Sequence, residues 1–147
     1  MSLFGSIDIS GSGLTAERLR MDVTAENLAN AQSTQGPDGQ PYRRKEVVLR
    51  AAGDGGFDGA LNAAMASGTA PPGGVEVTAI AEDQTPNRMV YDPGHPDAND
   101  DGYVSMPNVD PVTEMVDLIA ASRAYEANVT AMQTAKSMFS KTLDILR

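Results

Sequence analysis

From Leu14 to Asn30 the segment LTAERLRMDVTAENLAN contains neither Gly nor Pro, and its apolar residues recur at helical spacing. Ile7, Leu14, Met21 and Leu28 follow one another by sevens, while Ala16, Leu19 and Val23 form a second row. The spacing predicts a helix whose two apolar rows touch more than one neighbour. Ser12 and Gly13 are its expected N-terminal caps. Asn27 and Asn30, near its other end, read as helix-terminating and turn-bonding residues.

The longest periodic stretch runs from Asp110 to Arg147, where the only helix breaker is Pro111. A proline is tolerated in a first turn, and Asp110 before it is a natural N-cap. Met115, Ser122, Val129, Lys136 and Leu143 share one heptad position; Leu118, Tyr125, Met132, Phe139 and Leu146 lie three residues later. This is a/d spacing with two polar interruptions in the first row. A helix of this length extends for about 50 Å. A domain of this size cannot cover it, so it must find partners in the N-terminal helix and in other chains.

Between the helices the pattern shortens. Residues 35–41 are rich in Gly and Pro and predict a loop. Tyr42 to Arg50, Val75 to Ala81, Asn87 to Tyr91 and Gly102 to Met106 read as short strands. A Gly/Ala-rich insertion near 51–74 offers few apolar anchors, with Ala60 to Ser67 as a short helical candidate. The expected fold class is α+β: long N- and C-terminal helices packed as an antiparallel coiled coil, with a small β-rich middle region. The divisions are an N-terminal helical segment over 1–34, a middle region over 35–108 and a C-terminal helix over 109–147.

Composition narrows the function. Apolar residues make up 41% of the chain and charged residues 21%, which argues for a folded domain. With three Phe, four Tyr and no Trp, Ala, Met and Leu must do most of the packing, which favours helix-on-helix contacts. The formal net charge of −9 argues against nucleic-acid backbone binding, and the run Arg43-Arg44-Lys45 is too short to reverse it. The absence of cysteine excludes disulfides, thiolate metal sites and a cysteine nucleophile. The first residues lack the basic and continuously apolar regions of a secretory signal, and no apolar run is long enough to span a bilayer.

Residues 91–102 hold the single histidine, His95, among several carboxylates. No second histidine, nucleophile elbow or phosphate-cradling loop accompanies it, so neither a catalytic residue nor a cofactor is assigned. Asp97, Asn99 and Asp101 followed by Gly102 match the opening of a calcium loop. The twelfth position is Asn108 rather than a bidentate glutamate, and Pro93, Pro96, Pro107 and Pro111 forbid the flanking helices. A structural turn is the expectation and no metal ligand is assigned.

Residues 25–34, AENLANAQST, resemble the N-terminal signature of the axial proteins of the bacterial flagellum, in which an N-L-A-N core closes the first helix. Residues 39–45, 89–109 and 114–128 are similar to the rod group of that family, the proximal rod in particular. The resemblance makes Asn27, Leu28, Ala29, Asn30, Thr34 and Tyr42 signature residues. It implies a structural subunit whose assembly helices carry Leu14, Met21, Leu28, Met115, Leu118, Tyr125, Val129, Met132, Phe139, Leu143 and Leu146. The implied partners are copies of the chain, other rod proteins, membrane-ring and export-gate components at the rod base, and the flagellar type III export apparatus. The implied place is the periplasmic rod, reached without a cleaved signal. A cytoplasmic helical adaptor or export chaperone is the alternative, since it too would be acidic, cysteine-free and heptad-bearing.

Overall fold

The computed structural model describes residues 3–36, 39–52 and 73–145. In chain order these form α1 (Leu3–Ala29), β1 (Lys45–Ala51), β2 (Val75–Glu82), β3 (Arg88–Tyr91), β4 (Tyr103–Met106) and α2 (Pro111–Ile145). The fold is α+β, with a helix at each end and two small two-stranded sheets, β1–β2 and β3–β4, between them. All four expected strands are present. The helical candidate at Ala60 to Ser67, and most of the insertion around it, lie outside the described residues.

The chain forms two compact units. The first combines residues 1–19, 48–79 and 121–147. Here α1 and α2 approach closely and run antiparallel. A Cβ added at Gly11 would lie 3.9 Å from Met132 Cε, and one at Gly13 only 3.1 Å from Asn128 Nδ2. Ala16, Ala121 and Ala135 are buried. Ser12 Oγ donates to the Ile9 carbonyl at 2.8 Å and accepts from Val75 N–H at 3.0 Å, which ties β2 to the helix.

The helix therefore starts well before Ser12, and Ser12 and Gly13 are interior residues rather than caps. Glycine in a helix interior costs roughly 1 kcal/mol relative to alanine. At Gly13 that cost is offset by an approach of α2 that a side chain would obstruct. Ser12, in turn, spends its hydroxyl on a strand instead of on a free helix end.

The second unit comprises residues 20–47 and 80–120. Its interior holds Val23, Thr24, Asn27, Ala31, Val104, Pro107, Val109 and Glu114. β3 and β4 pair antiparallel, Arg88 opposite Met106 and Tyr91 opposite Tyr103, with the two tyrosine rings edge to face at 5.2 Å. α2 begins as expected: Asp110 Oδ1 accepts from Val112 N–H at 3.1 Å and Oδ2 from the Thr113 hydroxyl at 2.8 Å. These bonds hold the Asp110 carboxyl below the usual carboxylate range.

Candidate functional site

The second unit is organised around one amide. Asn27, near the end of α1, is 1% exposed, and both ends of its side chain are fully used. Its Nδ2 donates to the Lys45 carbonyl at 2.8 Å and to Glu114 Oε2 at 3.0 Å. Its Oδ1 accepts from Lys45 N–H and from the Tyr42 hydroxyl, both at 2.9 Å. An amide offers two donors and two acceptor lone pairs, so nothing is left over. By bonding both main-chain groups of Lys45, Asn27 acts as a neighbouring strand would and fixes where β1 begins.

Glu114, in the first turn of α2, is also 1% exposed. Its Oε1 accepts from Arg44 Nε at 2.6 Å, a part-buried, charge-assisted bond. Arg44 reaches Asp117 at 3.4 Å and Glu46 at 3.6 Å. Its main chain donates to Asn108 Oδ1 and accepts from Asp83 N–H, both at 2.8 Å. One arginine thus holds β1, the stretch after β2, the turn before α2, and α2 itself. The Glu114 bond raises the Arg44 guanidinium above its ordinary value. Burial, helped by Glu26, Glu114 and Glu82, pushes the Tyr42 phenol up to about 12. A polar cleft of about 130 Å³ is lined by Thr24, Asn27, Arg44, Glu114 and Asp117 among others.

The signature residues divide accordingly. Asn27 and Tyr42 meet in this junction, and the Thr34 hydroxyl donates to Asp97 Oδ2 at 2.7 Å. Asn30 keeps to local bonds, with the Glu26 carbonyl and the Ser33 hydroxyl. Leu28 is half-buried and Ala29 is exposed. Sequence reasoning treated Asn27 as a terminator and missed Glu114 and Lys45 as its partners, and Arg44 as the partner of Glu114. A lone glutamate on an otherwise small-residue heptad row (Glu114, Ala121, Asn128, Ala135) is the signal that was available.

Residues 97–102 form a turn. Asn99 Oδ1 accepts from Asp101 N–H at 3.1 Å and Tyr103 N–H at 2.7 Å, and Gly102 has φ of 80°. Asn108 is committed to Arg44, Asp83 and Thr85. His95 Nδ1 accepts from Asp97 N–H at 3.1 Å. Among the described residues no group of three His, Cys, Asp or Glu could hold a metal.

On α1, Leu14, Met21 and Leu28 are half-buried, whereas Ala16 and Val23 from the second row are fully buried. On α2, Leu118, Tyr125, Val129 and Met132 are half-buried, and Met115, Phe139 and Leu143 are exposed. Leu146 lies outside the described residues. The most buried row is Glu114, Ala121 and Ala135, one residue before the heptad position of Met115.

Two family profiles match the ends of the chain. One, described as flagella basal body rod protein, covers residues 7–37, and the other, flagellar basal body rod FlgEFG protein C-terminal, covers residues 100–145. These place the chain in the class of flagellar rod components. Relatives then match it from end to end. The flagellar basal-body rod protein FlgC of Escherichia coli O6:H1 is 50% identical over 145 residues, 99% of this chain and 98% of the relative. FlgC of Bacillus subtilis strain 168 is 48% identical over 149 residues, covering 99% of both chains. FlgC of Borreliella burgdorferi is 43% identical over 159 residues, covering 100% of this chain and 99% of the relative. The chain belongs to the FlgC family of flagellar basal-body rod proteins. This is a family of structural proteins rather than enzymes, and the adaptor reading gains no support from it.

Proposed function

We propose that the chain is a structural subunit of the proximal rod, polymerising through its terminal helices into part of the torque-transmitting shaft that crosses the periplasm. The observation that carries the mechanism is the late part of α2. Past Ala135 every described side chain of that helix is exposed, including Met138 at 55% and Leu143 at 52%. Large apolar residues left in water on a long helix mark a surface completed by another chain. Near the start of α2, Val112, Met115, Val116 and Ile119 are exposed in the same way.

The partners in this reading are further copies of the chain and other rod proteins, with membrane-ring and export-gate components at the rod base. The flagellar type III apparatus delivers the chain without a cleaved signal, and the exposed helix ends gain order on assembly. Residues 1–34 and 109–147 form the inner tube and 35–108 its outer decoration. Among the described residues no helix is long and apolar enough to cross a membrane. The test is a Met138→Glu/Leu143→Glu variant supplied as the sole copy in a motile bacterium. Both side chains are exposed, so the monomer folds as before, and cells are expected to lose rods and motility. Motile cells with normal basal bodies would refute the assignment.

A further inference from the structure

One face of the β3–β4 hairpin displays aromatic rings to water. Side chains alternate along a strand, so the register places Met89 and Tyr91 beside Ser105 and Tyr103 on one face, and Val90 beside Val104 on the other. Val104 is 2% exposed, whereas Tyr91 is 65%, Met89 55% and Tyr103 43% exposed. The displayed rings are nonetheless held in place. Tyr103 meets Tyr91 edge to face, and Gly102 lies so near the same ring that a Cβ there would be 3.0 Å from Tyr91 Cε2. Asp92 N–H donates to the Gly102 carbonyl and Asn99 N–H to that of Tyr103, which closes the turn behind them. A ring fixed in advance loses little freedom on contact, and an exposed apolar patch with a polar rim marks a docking surface.

Charge selects the occupant. From Met89 to Ser122 the chain has no Lys or Arg, and Asp92, Asp100 and Asp101 at the end of the hairpin are exposed. Aromatic faces and carboxylates both attract cations, and a guanidinium stacks on such rings. Arg43 is a cation of this kind. Its neighbours Arg44 and Lys45 are engaged with Glu114 and Glu26, while Arg43 is exposed and lines a cleft of about 320 Å³ with Gln40, Pro41 and Tyr42 among others. None of Met89, Tyr91 and Tyr103 lines that cleft, so the second unit carries two separate features. We propose that Tyr91 and Tyr103 of one copy dock on Arg43 and the cleft of the next copy, with Asp92, Asp100 and Asp101 around the guanidinium. This contact rests on the rod reading and adds to it a junction made by the middle region rather than by the terminal helices. Two different patches that fit each other on every copy join head to tail, and such a contact propagates as an open helix when it does not close into a ring.

The chain has no cysteine, so reporters can be introduced singly. Gln40→Cys and Met89→Cys chains, one carrying a size tag, are co-expressed in a motile bacterium as its only copies. Basal bodies are then treated with a short bis-maleimide. The expected product is a mixed dimer, absent when either chain is expressed alone. Arg43→Glu added to both chains is expected to lower that product about fivefold or more, because it sets a carboxylate against carboxylates. Adding Asp100→Lys/Asp101→Lys as well is expected to restore it by exchanging the charges across the contact. Arg43, Asp100 and Asp101 are exposed, so these changes leave the monomer folded. Basal bodies that hold both chains without a mixed dimer overturn the contact and leave the rod reading standing. So does a dimer that Arg43→Glu fails to weaken, a charge exchange that restores nothing, or capture of a different rod protein by Met89→Cys in place of this chain. Basal bodies that lack even the unsubstituted chain overturn both. In the chain without reporters, Arg43→Glu is expected to reduce motility, and unchanged motility overturns the contact independently of the cysteines.

Discussion

Replacing Asn27 by alanine removes four hydrogen bonds at a position that water does not reach. A typical hydrogen bond contributes about 1 kcal/mol net, and a buried charged acceptor left without its partner costs about 1–3 kcal/mol. Lys45 and Tyr42 are half-exposed, so water replaces part of what they lose, whereas Glu114 Oε2 has no such recourse. Alanine returns a few tenths of a kcal/mol in helix propensity. The balance is a destabilisation of about 4 kcal/mol, a large share of the 5–15 kcal/mol typical of a domain. With a urea slope of about 1.5 kcal/mol per molar, the unfolding midpoint falls by about 2.5 M. Equilibrium urea titration of the purified chain, followed by circular dichroism at 222 nm (roughly the helix minimum), measures this directly. Asn30→Ala is the internal control. It sits three residues on, in the same signature, but its bonds are local and exposed, so its shift stays within about 0.5 M. If the two variants shift alike, or Asn27→Ala moves the midpoint by less than about 0.5 M, the junction does not hold the unit together.

Tyr42→Phe deletes only the hydroxyl bond to Asn27 and is expected to cost about 1 kcal/mol at neutral pH in the same titration. The tyrosine also predicts alkaline sensitivity. Its folded pKa lies above the unfolded value of 10.0, so its contribution is complete below pH 10 and is lost as pH rises toward about 12. Tyr42→Phe should flatten that decline, and an unaltered alkaline profile would count against burial of the phenol. At the acid end, the lowered Asp110 carboxyl stabilises the start of α2 above its unfolded pKa and loses that effect as pH falls through the folded value. Asp110→Ala should therefore raise amide exchange in the first turn of α2 at neutral pH and remove the acid dependence there. Among the glycines, Gly5→Ala meets nothing within 4 Å and should stabilise α1 by up to about 1 kcal/mol. Gly13→Val, against Asn128, should destabilise by about 1–3 kcal/mol, and thermal melts of the two separate open space from close approach.

How much of this was legible in the sequence depended on how local each signal is. The strands showed as short apolar stretches of their own, and α2 announced its start through Asp110 and Pro111; both signals lie within a few residues of the element they define. The start of α1 was hidden because Gly5, Gly11, Ser12 and Gly13 are poor helix formers locally. At Gly11, Ser12 and Gly13 the helix is held by α2 and β2, more than sixty residues away in the chain. Heptad phase on α2 was ambiguous for a related reason. Large apolar residues occur on the outward side as well as the inward one, while the residues with least exposure are an alanine and a glutamate. Asn27 carried a plausible local role, helix termination, which concealed a long-range one. Sequence spacing showed a glutamate and an asparagine on two helices; only the fold placed them 3.0 Å apart.

The exposed apolar turns of α2 after Ala135 have a consequence in the order of synthesis. Translation runs from N- to C-terminus at about 5–20 residues per second, and domains fold as their residues emerge. Met138, Phe139 and Leu143 are among the last of the described residues to be made. Asn27, Arg44 and Glu114, the residues that close the second unit, are therefore all made before these apolar turns.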